Sequence, residues 1–357
     1  MKKIVIIEPG VKNHSVMLIN WLSIAKCNNW YLKIYTTKEC FELVASSFEG
    51  FEQYYDVRLI KFEKDLLGWF SLFRYSRSSE VLVVNSVYKS YLIIYFLTLL
   101  YRFSFIYVHN ANKWSCFSKL PNKSLLSFLA FKVRRLIIRA CTGVFVSSSN
   151  MKSYLSTKDN SLDVVVLPFS FRRDRNLPST KRKFIVYPGV VSPLRKRYDG
   201  FLRLAKANPD LDFVLLGRID DNSEILKSIR TEKIENITVF SSYIDNDIYE
   251  YYMSNSALMF SDIIVDYQGE SYGQTKDSGI SYLSINFNVP LLVNREFINL
   301  DELDKYTYYF SSSDEMLLLF ESLKNNDFKN SEIDQDRFKD FTDVVVSQRF
   351  KRYFDCL

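Results

Sequence analysis

The sequence predicts an α/β protein with two doubly wound parallel sheets that face each other across a cleft. Three observations predict it. Short apolar, β-branched runs alternate with longer segments of helical periodicity in both halves of the 357 residues. The runs are almost uninterrupted, which is typical of parallel strands with helices on both faces. The charged, proline-containing stretch PFSFRRDRNLPSTKRK lies between the halves and indicates a linker.

The first half supplies the larger set of strand candidates. They are Lys3–Ile7, Tyr31–Thr36, Val57–Phe62, Val81–Asn85, Phe105–His109, Gly143–Ser147 and Asp163–Leu167. The helical patterns between them are Val16–Lys26, Tyr88–Arg102 and Lys123–Ala140. The first strand begins in MKKIVIIEPG, whose apolar run is too short for a signal peptide.

The strand–helix pattern starts again after the linker. Its strands are Phe184–Tyr187, Asp212–Leu216, Ile237–Phe240, Ala257–Ser261 and Leu291–Val293, and its helices are Tyr198–Ala207, Ser223–Arg230, Asp247–Ser254 and Gly279–Phe287. We expect domains at 1–176 and 177–335, followed by a Phe-rich helix, Asp336–Phe354, within 336–357. Ligands of open parallel sheets bind at the carboxyl ends of the strands, so we expect the functional site there.

Composition argues against several classes of protein. The five cysteines form no C-x-x-C pair, which predicts reduced thiols in a cytoplasmic protein. With only two histidines, His14 and His109, a zinc site is hard to build, and no metal is expected. Neither G-x-G-x-x-G after the first strand nor a Walker A motif is present, so a dinucleotide enzyme or a P-loop kinase is disfavoured.

Charge is unevenly distributed along the chain. Residues 1–175 hold 25 Lys and Arg against 12 Asp and Glu (+13), and the remainder holds 22 against 29 (−7). Residues 81–158 hold eleven basic residues and no acidic one. The first half therefore faces an anionic partner, such as membrane headgroups, lipid-linked phosphates or nucleic acid, or simply has a solvated basic surface. Nucleic acid is disfavoured because no basic motif with interleaved aromatics occurs.

Two helices raise the question of a membrane. Tyr91–Leu100 (YLIIYFLTLL) carries no charge, but it is far shorter than the roughly 20 residues needed to span, so we expect a buried crossover helix. The helix around LLSFLAFKVRRLIIRA is amphipathic and basic. It either lies on an anionic membrane surface or covers the sheet with a charged outer side.

The first candidate site follows a strand of the second half. Gly189 turns the chain, and a loop then delivers Arg195, Lys196 and Arg197 before a helix. Cations at the carboxyl edge of a sheet suit a diphosphate, although an exposed basic loop would show the same pattern. The next strand ends at Gly217, where a side chain could block a ligand.

The second candidate site is a helix start. Ser278 or Asp277 can cap this helix, and Gly279 lets a ligand approach its free amides. An ordinary capped helix has the same features. The combination is more specific: a basic loop, a strand ending in glycine, a Ser-Gly helix start and a Pro-initiated apolar strand.

That order, carried by residues 184–294, resembles the C-terminal domain of glycosyltransferase family 4-like enzymes of the GT-B fold. The first half resembles them through PGVKNHS, YVHN and VFVSSSNMKSYL. The resemblance implies a GT-B fold whose last helix packs back on the N-terminal domain. It also implies a retaining transfer that needs neither metal nor other cofactor.

The resemblance also implies roles for individual residues. Arg195 and Lys196 would neutralise the diphosphate of a nucleotide-sugar donor and stabilise the leaving group. The amides at Ser278, Gly279 and Ile280 would face the same phosphates.

Further roles fall on the N-terminal half. His109 would face donor and acceptor as a catalytic residue, and Gly10 would approach the reacting sugar. His14 and Asn110 are candidate acceptor contacts. Either histidine could instead be an ordinary hydrogen-bonded loop residue.

One family feature is not intact in this chain. The family's two glutamates fall on Thr275 and Leu283, counting back from Pro290, and Glu270 could replace the first only with an insertion. Glu270 is therefore a candidate donor contact.

The resulting expectation is a cytoplasmic, hexosyltransferase-like enzyme at the inner face of the membrane. It would move a sugar from a nucleotide sugar to a lipid-linked or growing surface glycan, as in lipopolysaccharide or capsule synthesis. The alternatives are a non-catalytic GT-B-like subunit of a glycan-synthesis complex and a transferase of another activated group, such as glycerol phosphate.

Overall fold

The computed structural model describes residues 2–9, 16–60, 66–75, 80–87, 90–120, 122–168, 183–326, 328 and 335–356. The predicted linker lies almost entirely outside the described residues. All five cysteines are free thiols.

The chain divides into two compact units. The first consists of Met1–Arg172, Gln268–Asp277 and Lys339–Leu357, and the second of Arg173–Tyr267 and Ser278–Phe338. The predicted boundaries, 1–176 and 177–335, place residues 268–277 in the second domain, whereas the contacts of this segment place it in the first unit.

The sheet of the first unit has seven strands in the order β3-β2-β1-β4-β5-β6-β7, and each neighbouring pair is parallel. Its strands are β1 (Lys3–Glu8), β2 (Tyr31–Thr36), β3 (Tyr55–Leu59), β4 (Val81–Val84), β5 (Phe103–Tyr107), β6 (Gly143–Val146) and β7 (Val164–Val166). The chain thus crosses between parallel neighbours through helices, as the alternating pattern predicts.

The helices of this unit cover both faces of the sheet. They are α1 (Val16–Asn28), α2 (Lys38–Glu42), α3 (Leu66–Tyr75), α4 (Tyr91–Leu100), α5 (Ala111–Ser115), α6 (Leu125–Ala140), α7 (Ser149–Lys158) and α13 (Asp343–Asp355). One core lies beneath α1 and α13 and is rich in aromatic rings. The other lies beneath α3, α4, α6 and α7. The short strand β13 (Glu270–Ser271) also belongs to this unit.

The last stretch is not the single helix expected at Asp336–Phe354. A 3-10 helix spans Gln335–Phe341, Thr342 is extended, and α13 follows. The break lies close to where the chain passes from the second unit to the first. Phe354 of α13 packs edge-on against Trp30 and Phe105 in the first core. The helical periodicity of the sequence alone could not show that the 3-10 helix and α13 contribute to different cores.

The second unit has a six-stranded parallel sheet in the order β10-β9-β8-β11-β14-β15. Its strands are β8 (Phe184–Pro188), β9 (Asp212–Arg218), β10 (Ile237–Phe240), β11 (Ser256–Ser261), β12 (Asp266–Tyr267), β14 (Leu291–Asn294) and β15 (Thr307–Phe310), of which β12 lies outside the six-stranded sheet. Its helices are α8 (Asp199–Ala207), α9 (Glu224–Thr231), α10 (Asn246–Ser254), α11 (Gly279–Phe287) and α12 (Ser313–Asn325). The two parallel sheets confirm the predicted fold class.

Candidate functional site

The basic loop after β8 is fixed at the carboxyl edge of the second sheet. Its backbone pairs with the residues that follow β11: Arg197 N–H donates to the Asp262 carbonyl at 2.8 Å, and Ile264 N–H donates to the Arg195 carbonyl at 2.9 Å. Lys196 and Ile263 form an antiparallel bridge within this pairing. The loop is therefore fixed by hydrogen bonds to the segment after β11, and the backbone positions of its cations are defined.

Lys196 folds back toward the end of β8. Its Nζ donates to the carbonyls of Pro188 and Gly189, at 2.8 and 3.3 Å, and lies 4.9 Å from the centroid of the Tyr187 ring. Burial lowers the pKa of the Lys196 ammonium to about 8, because the protein replaces water around the charge. A cation that the protein solvates incompletely gains from an incoming anion.

The other two cations of the loop differ from each other. Arg197 is paired: it donates to the Asp262 carboxylate at 3.3 Å and lies 3.9 Å from Glu296. Arg195 is exposed, and its guanidinium lies 5.6 Å from the centroid of the Tyr267 ring. Arg195 and Lys196, the two residues predicted for the diphosphate, thus lie in one loop, and among the described residues neither is paired with a carboxylate.

The two predicted glycines of this edge touch each other. Gly189 has φ of +88°, a left-handed conformation that favours glycine. A Cβ on Gly217 would overlap the Gly189 carbonyl oxygen. This packing inside the protein explains why β9 carries glycine here, a reason that differs from the predicted clearance for a ligand.

The Ser278 helix start behaves as a cap. Ser278 is the N-cap of α11, and its side chain accepts from the Ile280 amide at 3.4 Å. A Cβ on Gly279 would meet no atom within 4 Å, so the backbone faces open space at this position. The positive end of the α11 dipole, with a glycine in front, is suited to an anion.

Topology brings these pieces to one edge. β8 and β14 both flank β11, and the connection from β11 to β14 ends with α11, which leads directly into β14. A helix that connects parallel strands begins at their carboxyl edge, so the N-terminus of α11 and the Arg195–Lys196 loop share that edge. Two cations, one of them partly desolvated, and a helix N-terminus make an anion-binding arrangement.

The candidate residues of the first unit lie at the carboxyl edge of its sheet. His109 follows β5, and its Nε2 lies 2.9 Å from the Asn85 carbonyl oxygen, which can only accept. Nε2 therefore carries the hydrogen in this arrangement. The His109 ring lies 4.5 Å from that of Tyr107, centroid to centroid. The histidine is thus oriented by the strand ends.

A buried carboxyl group, which the sequence did not predict as part of the site, binds the residues at this edge of the sheet. Glu8, at the end of β1, is fully buried and accepts from Asn85 Nδ2 at 2.6 Å and from Ser86 Oγ at 2.5 Å. The available signal was an acidic residue ending an apolar strand, with polar residues ending a neighbouring one. Glu8 orients Asn85, which in turn contacts His109.

The segment 268–277, called the strap below, is bound to the first unit mainly through Asn112. Asn112 Nδ2 donates to the Gly269 carbonyl at 2.6 Å and to Thr275 Oγ1 at 3.3 Å. The Ala111 amide donates to the Thr275 carbonyl at 2.7 Å. Gly269 has φ of +77°, and a Cβ there would overlap the Lys119 carbonyl oxygen, so the close approach requires glycine.

Two predicted binding residues meet at the strap. Glu270 accepts from Asn110 Nδ2 at 3.0 Å and from Lys276 Nζ at 2.7 Å. Asn110 Oδ1 also caps α5 by accepting from the Lys113 amide at 3.2 Å. The described contacts of Glu270 are therefore internal ones in the first unit, next to His109, and not with the Arg195 loop. Donor contact by Glu270 and acceptor contact by Asn110 stay predictions.

The remaining site residues cannot be placed. Gly10 and His14, predicted to approach the sugar and the acceptor, lie outside the described residues. Thr275, at the first family glutamate position, is 1% exposed and accepts from the Ser271 amide at 2.9 Å. It serves the internal structure of the strap.

Two doubly wound units of this kind define the GT-B architecture, and solved structures share it over the full chain. The protein HepE of Anabaena, solved with UDP and glucose, matches with a TM-score of 0.71 at 12% identity, covering 100% of both chains. A glycosyltransferase of Rickettsia africae matches with a TM-score of 0.67 at 10% identity, over 99% and 98% of the two chains. UDP-GlcNAc 2-epimerase of Neisseria meningitidis, bound to UDP-GlcNAc, matches with a TM-score of 0.61 at 14% identity, covering 100% of both.

These identities show a shared fold and nothing narrower. No family model and no curated protein sequence matches the chain.

Proposed function

We propose that the chain is a glycosyltransferase that takes a sugar from a nucleoside-diphosphate sugar. The observation that carries the proposal is the arrangement of Arg195, Lys196 and the open α11 N-terminus at one edge of the second sheet. A diphosphate leaves with negative charge, and fixed cations and amides stabilise that charge without reorganising. The proposal assigns the donor to the second unit.

Structural neighbours support a nucleotide-sugar ligand. HepE has been solved with UDP-glucose and with UDP and glucose, and the Neisseria epimerase with UDP-GlcNAc. Proteins of this architecture thus accommodate uridine diphosphate sugars. We infer a ligand of the same chemical class here, with Arg195 and Lys196 on its phosphates and the amides of Gly279 and Ile280 opposite.

The proposed reaction exchanges one bond to the anomeric carbon for another. The bond to the diphosphate oxygen breaks, and the nucleoside diphosphate leaves with the electron pair. The acceptor hydroxyl oxygen forms the new glycosidic bond, and its proton passes to the departing phosphate oxygen. Retention of configuration and independence from metal belong to this proposal through the family resemblance.

His109 is the proposed polar contact on the acceptor side. Its Nε2–H is directed at the Asn85 carbonyl, so the ring is held in a single orientation. We propose that the acceptor is a lipid-linked or growing surface glycan, met at the inner face of the membrane. The basic, acid-free stretch 81–158 supports an anionic partner for this half of the chain.

A non-catalytic GT-B-like subunit is the second candidate. Its support is that Thr275 and Leu283 occupy the positions of the family's two glutamates, which leaves the donor ribose without its usual acidic contact. Such a subunit would bind a nucleotide or a glycan without transferring sugar.

The test is a screen of UDP-, GDP- and dTDP-sugars for binding, followed by transfer of radiolabelled sugar to membrane extracts. Arg195→Ala with Lys196→Ala should abolish both binding and transfer. The matched control is Arg203→Ala with Lys206→Ala, which also removes two cations from the second unit but from the body of α8. The control should bind and transfer normally.

The outcomes separate the candidates. Binding without transfer would favour the non-catalytic subunit. Donor binding that survives the loss of Arg195 and Lys196 would refute their role on the phosphates.

A further inference from the structure

One surface of the first unit is apolar where a soluble helix is normally polar. The surface, called the α4–α6 face below, consists of the outward side chains of α4 (Leu92, Phe96, Leu99 and Leu100) and of α6 (Leu125, Leu126, Leu129 and Leu136), each at least 50% exposed. Large exposed apolar patches mark interaction sites.

In α4 the exposed apolar residues form a continuous stripe along one side of the helix. Ile94, Leu97 and Thr98 point to the core, whereas the exposed residues fall at i, i+4, i+7 and i+8 on the opposite side. The helix is therefore apolar all round, which is typical of helices buried in protein or lipid. The sequence predicted that α4 is a buried crossover helix, but only one of its two sides is buried.

The outer side of α6 is apolar and basic together. Leu125, Leu129 and Leu136 alternate along it with the exposed cations Lys132 and Arg139. Arg139 contacts Asp159, but Lys132 lies over the Phe128 ring at 5.1 Å. Leucines flanked by cations on one helical face suit the boundary between acyl chains and anionic headgroups.

Charge decides which partner fits. Residues 81–158, which contain both helices, carry eleven Lys and Arg and no Asp or Glu. The exposed cations on or beside the face itself are Lys123, just before α6, Lys132 and Arg139, the last of which is paired with Asp159. A second copy of the same face would bring these cations against each other, whereas an anionic lipid surface complements them. None of the helices in the described ranges combines the length and the apolar character of a membrane span.

One end of the α4–α6 face lies near the carboxyl edge of the sheet. α4 and α6 pack side by side, and Arg134 lies 5.4 Å from the ring of Tyr91, the first residue of α4. The turns of α6 before Arg134 therefore extend beyond the start of α4, toward the carboxyl edge of the sheet. His109 lies at that same edge.

We propose that the α4–α6 face binds the surface of an anionic lipid bilayer, with its leucines and phenylalanine among the acyl chains and its cations at the headgroups. The inference needs neither donor nor transfer. If the proposed function also holds, the bound bilayer brings a lipid-linked acceptor to the edge that carries His109.

The test is co-sedimentation of the full chain with vesicles of phosphatidylglycerol and phosphatidylethanolamine, and with vesicles of phosphatidylcholine alone. We expect binding to the anionic vesicles, much weaker binding to the neutral ones, and a loss on raising salt. The triple variant Phe96→Ser, Leu126→Ser and Leu129→Ser should lower the partition coefficient about tenfold or more.

Two control variants match the test variants. Leu43→Ser, Leu318→Ser and Val344→Ser remove three comparably exposed apolar side chains elsewhere, and should bind like the unmodified chain. Lys123→Glu with Lys132→Glu should weaken binding, whereas Lys305→Glu with Lys351→Glu, also exposed lysines, should weaken it less. Thermal unfolding of each variant checks that the fold is intact.

Three results would overturn the proposal. They are no binding of the unmodified chain to anionic vesicles, equal binding to neutral vesicles, and a dimer in light scattering that the Phe96 triple variant abolishes. Because no nucleotide sugar is present, none of these results bears on the proposed glycosyl transfer.

Discussion

The carboxylate of Glu8 accepts a hydrogen bond of 2.6 Å from the side-chain amide of Asn85, and both side chains are fully buried. Asn85 in turn meets the His109 ring through its backbone carbonyl. The carboxyl group at the end of β1 therefore helps to orient the proposed acceptor-side histidine two strands away. Two of its donors, Asn85 and Ser86, belong to the segment that follows β4.

Replacing Glu8 tests this network. Glu8→Ala leaves the buried donors of Asn85 and Ser86 without their acceptor, and should lower the free energy of unfolding by roughly 2–4 kcal/mol. Glu8→Gln keeps the shape but turns one acceptor into a donor, so we expect a smaller loss of the same sign. Urea unfolding measures both. Unchanged stability in both variants would contradict the network.

Two glycines of the second unit should respond in opposite ways. Gly217→Ala forces a Cβ into the Gly189 carbonyl, so the free energy of unfolding should fall by roughly 1–3 kcal/mol. Gly279→Ala meets open space at the first residue of α11 and should leave stability unchanged or slightly higher. Thermal unfolding compares them directly.

Donor binding adds a second readout for Gly279. If phosphates approach the α11 amides, the new methyl group of Gly279→Ala stands in their way, and affinity for UDP should fall about tenfold or more although the fold is intact. Normal UDP affinity in this variant would argue against that approach.

Lys196 should make stability depend on pH. Its folded pKa of about 8 lies below the ordinary value of 10.5, because burial disfavours the charged form. Between these values the unfolded chain holds a proton that the folded chain has released, so stability should rise with pH through this window. Below about pH 8 both states hold the proton and this contribution to the slope vanishes.

Denaturant unfolding from pH 7 to 10 measures the effect as the difference between the unmodified chain and Lys196→Met. The difference isolates Lys196 from the other groups that titrate there. A difference that is flat above pH 8, or that falls, would show that Lys196 is not desolvated.

The strap should loosen when Asn112 is replaced. Asn112 is buried and bonds Gly269, Thr275 and the Tyr154 hydroxyl, so Asn112→Leu loses every one of these bonds. We expect amide hydrogen exchange in peptides covering 268–277 to accelerate, with little change in β9 of the other unit. Asn208→Leu, at a buried asparagine of the second unit, is the matched control and should spare the strap. Equal exchange of the strap in the Asn112 variant would contradict its anchoring role.

The order of strands and helices could be predicted from the sequence, because the spacing of apolar residues is visible within each segment. The α11 helix, Gly279–Phe287, was predicted with its observed bounds, and Ser278 was recognised as a possible cap. The structure adds that the left-handed Asn288 ends the helix. The Arg195–Lys196 loop was found because cations after a strand and before a helix are visible in one segment.

The features that could not be predicted from the sequence depend on contacts between residues far apart in the chain. The strap is bound to Asn112, far away along the chain, and nothing in its own ten residues indicates which unit it joins. Glu8 was given no role from the sequence, because its partners Asn85 and Ser86 follow another strand. Gly217 was assigned to ligand clearance, whereas the Gly189 carbonyl, invisible in the sequence, is the atom it accommodates.

The most direct test of the central claim is a crystal structure of the chain with UDP. We predict that the diphosphate lies within hydrogen-bond distance of Arg195 and Lys196, with a phosphate oxygen at the amide of Gly279. A diphosphate bound away from these three residues, in crystals grown at saturating UDP, would contradict the account.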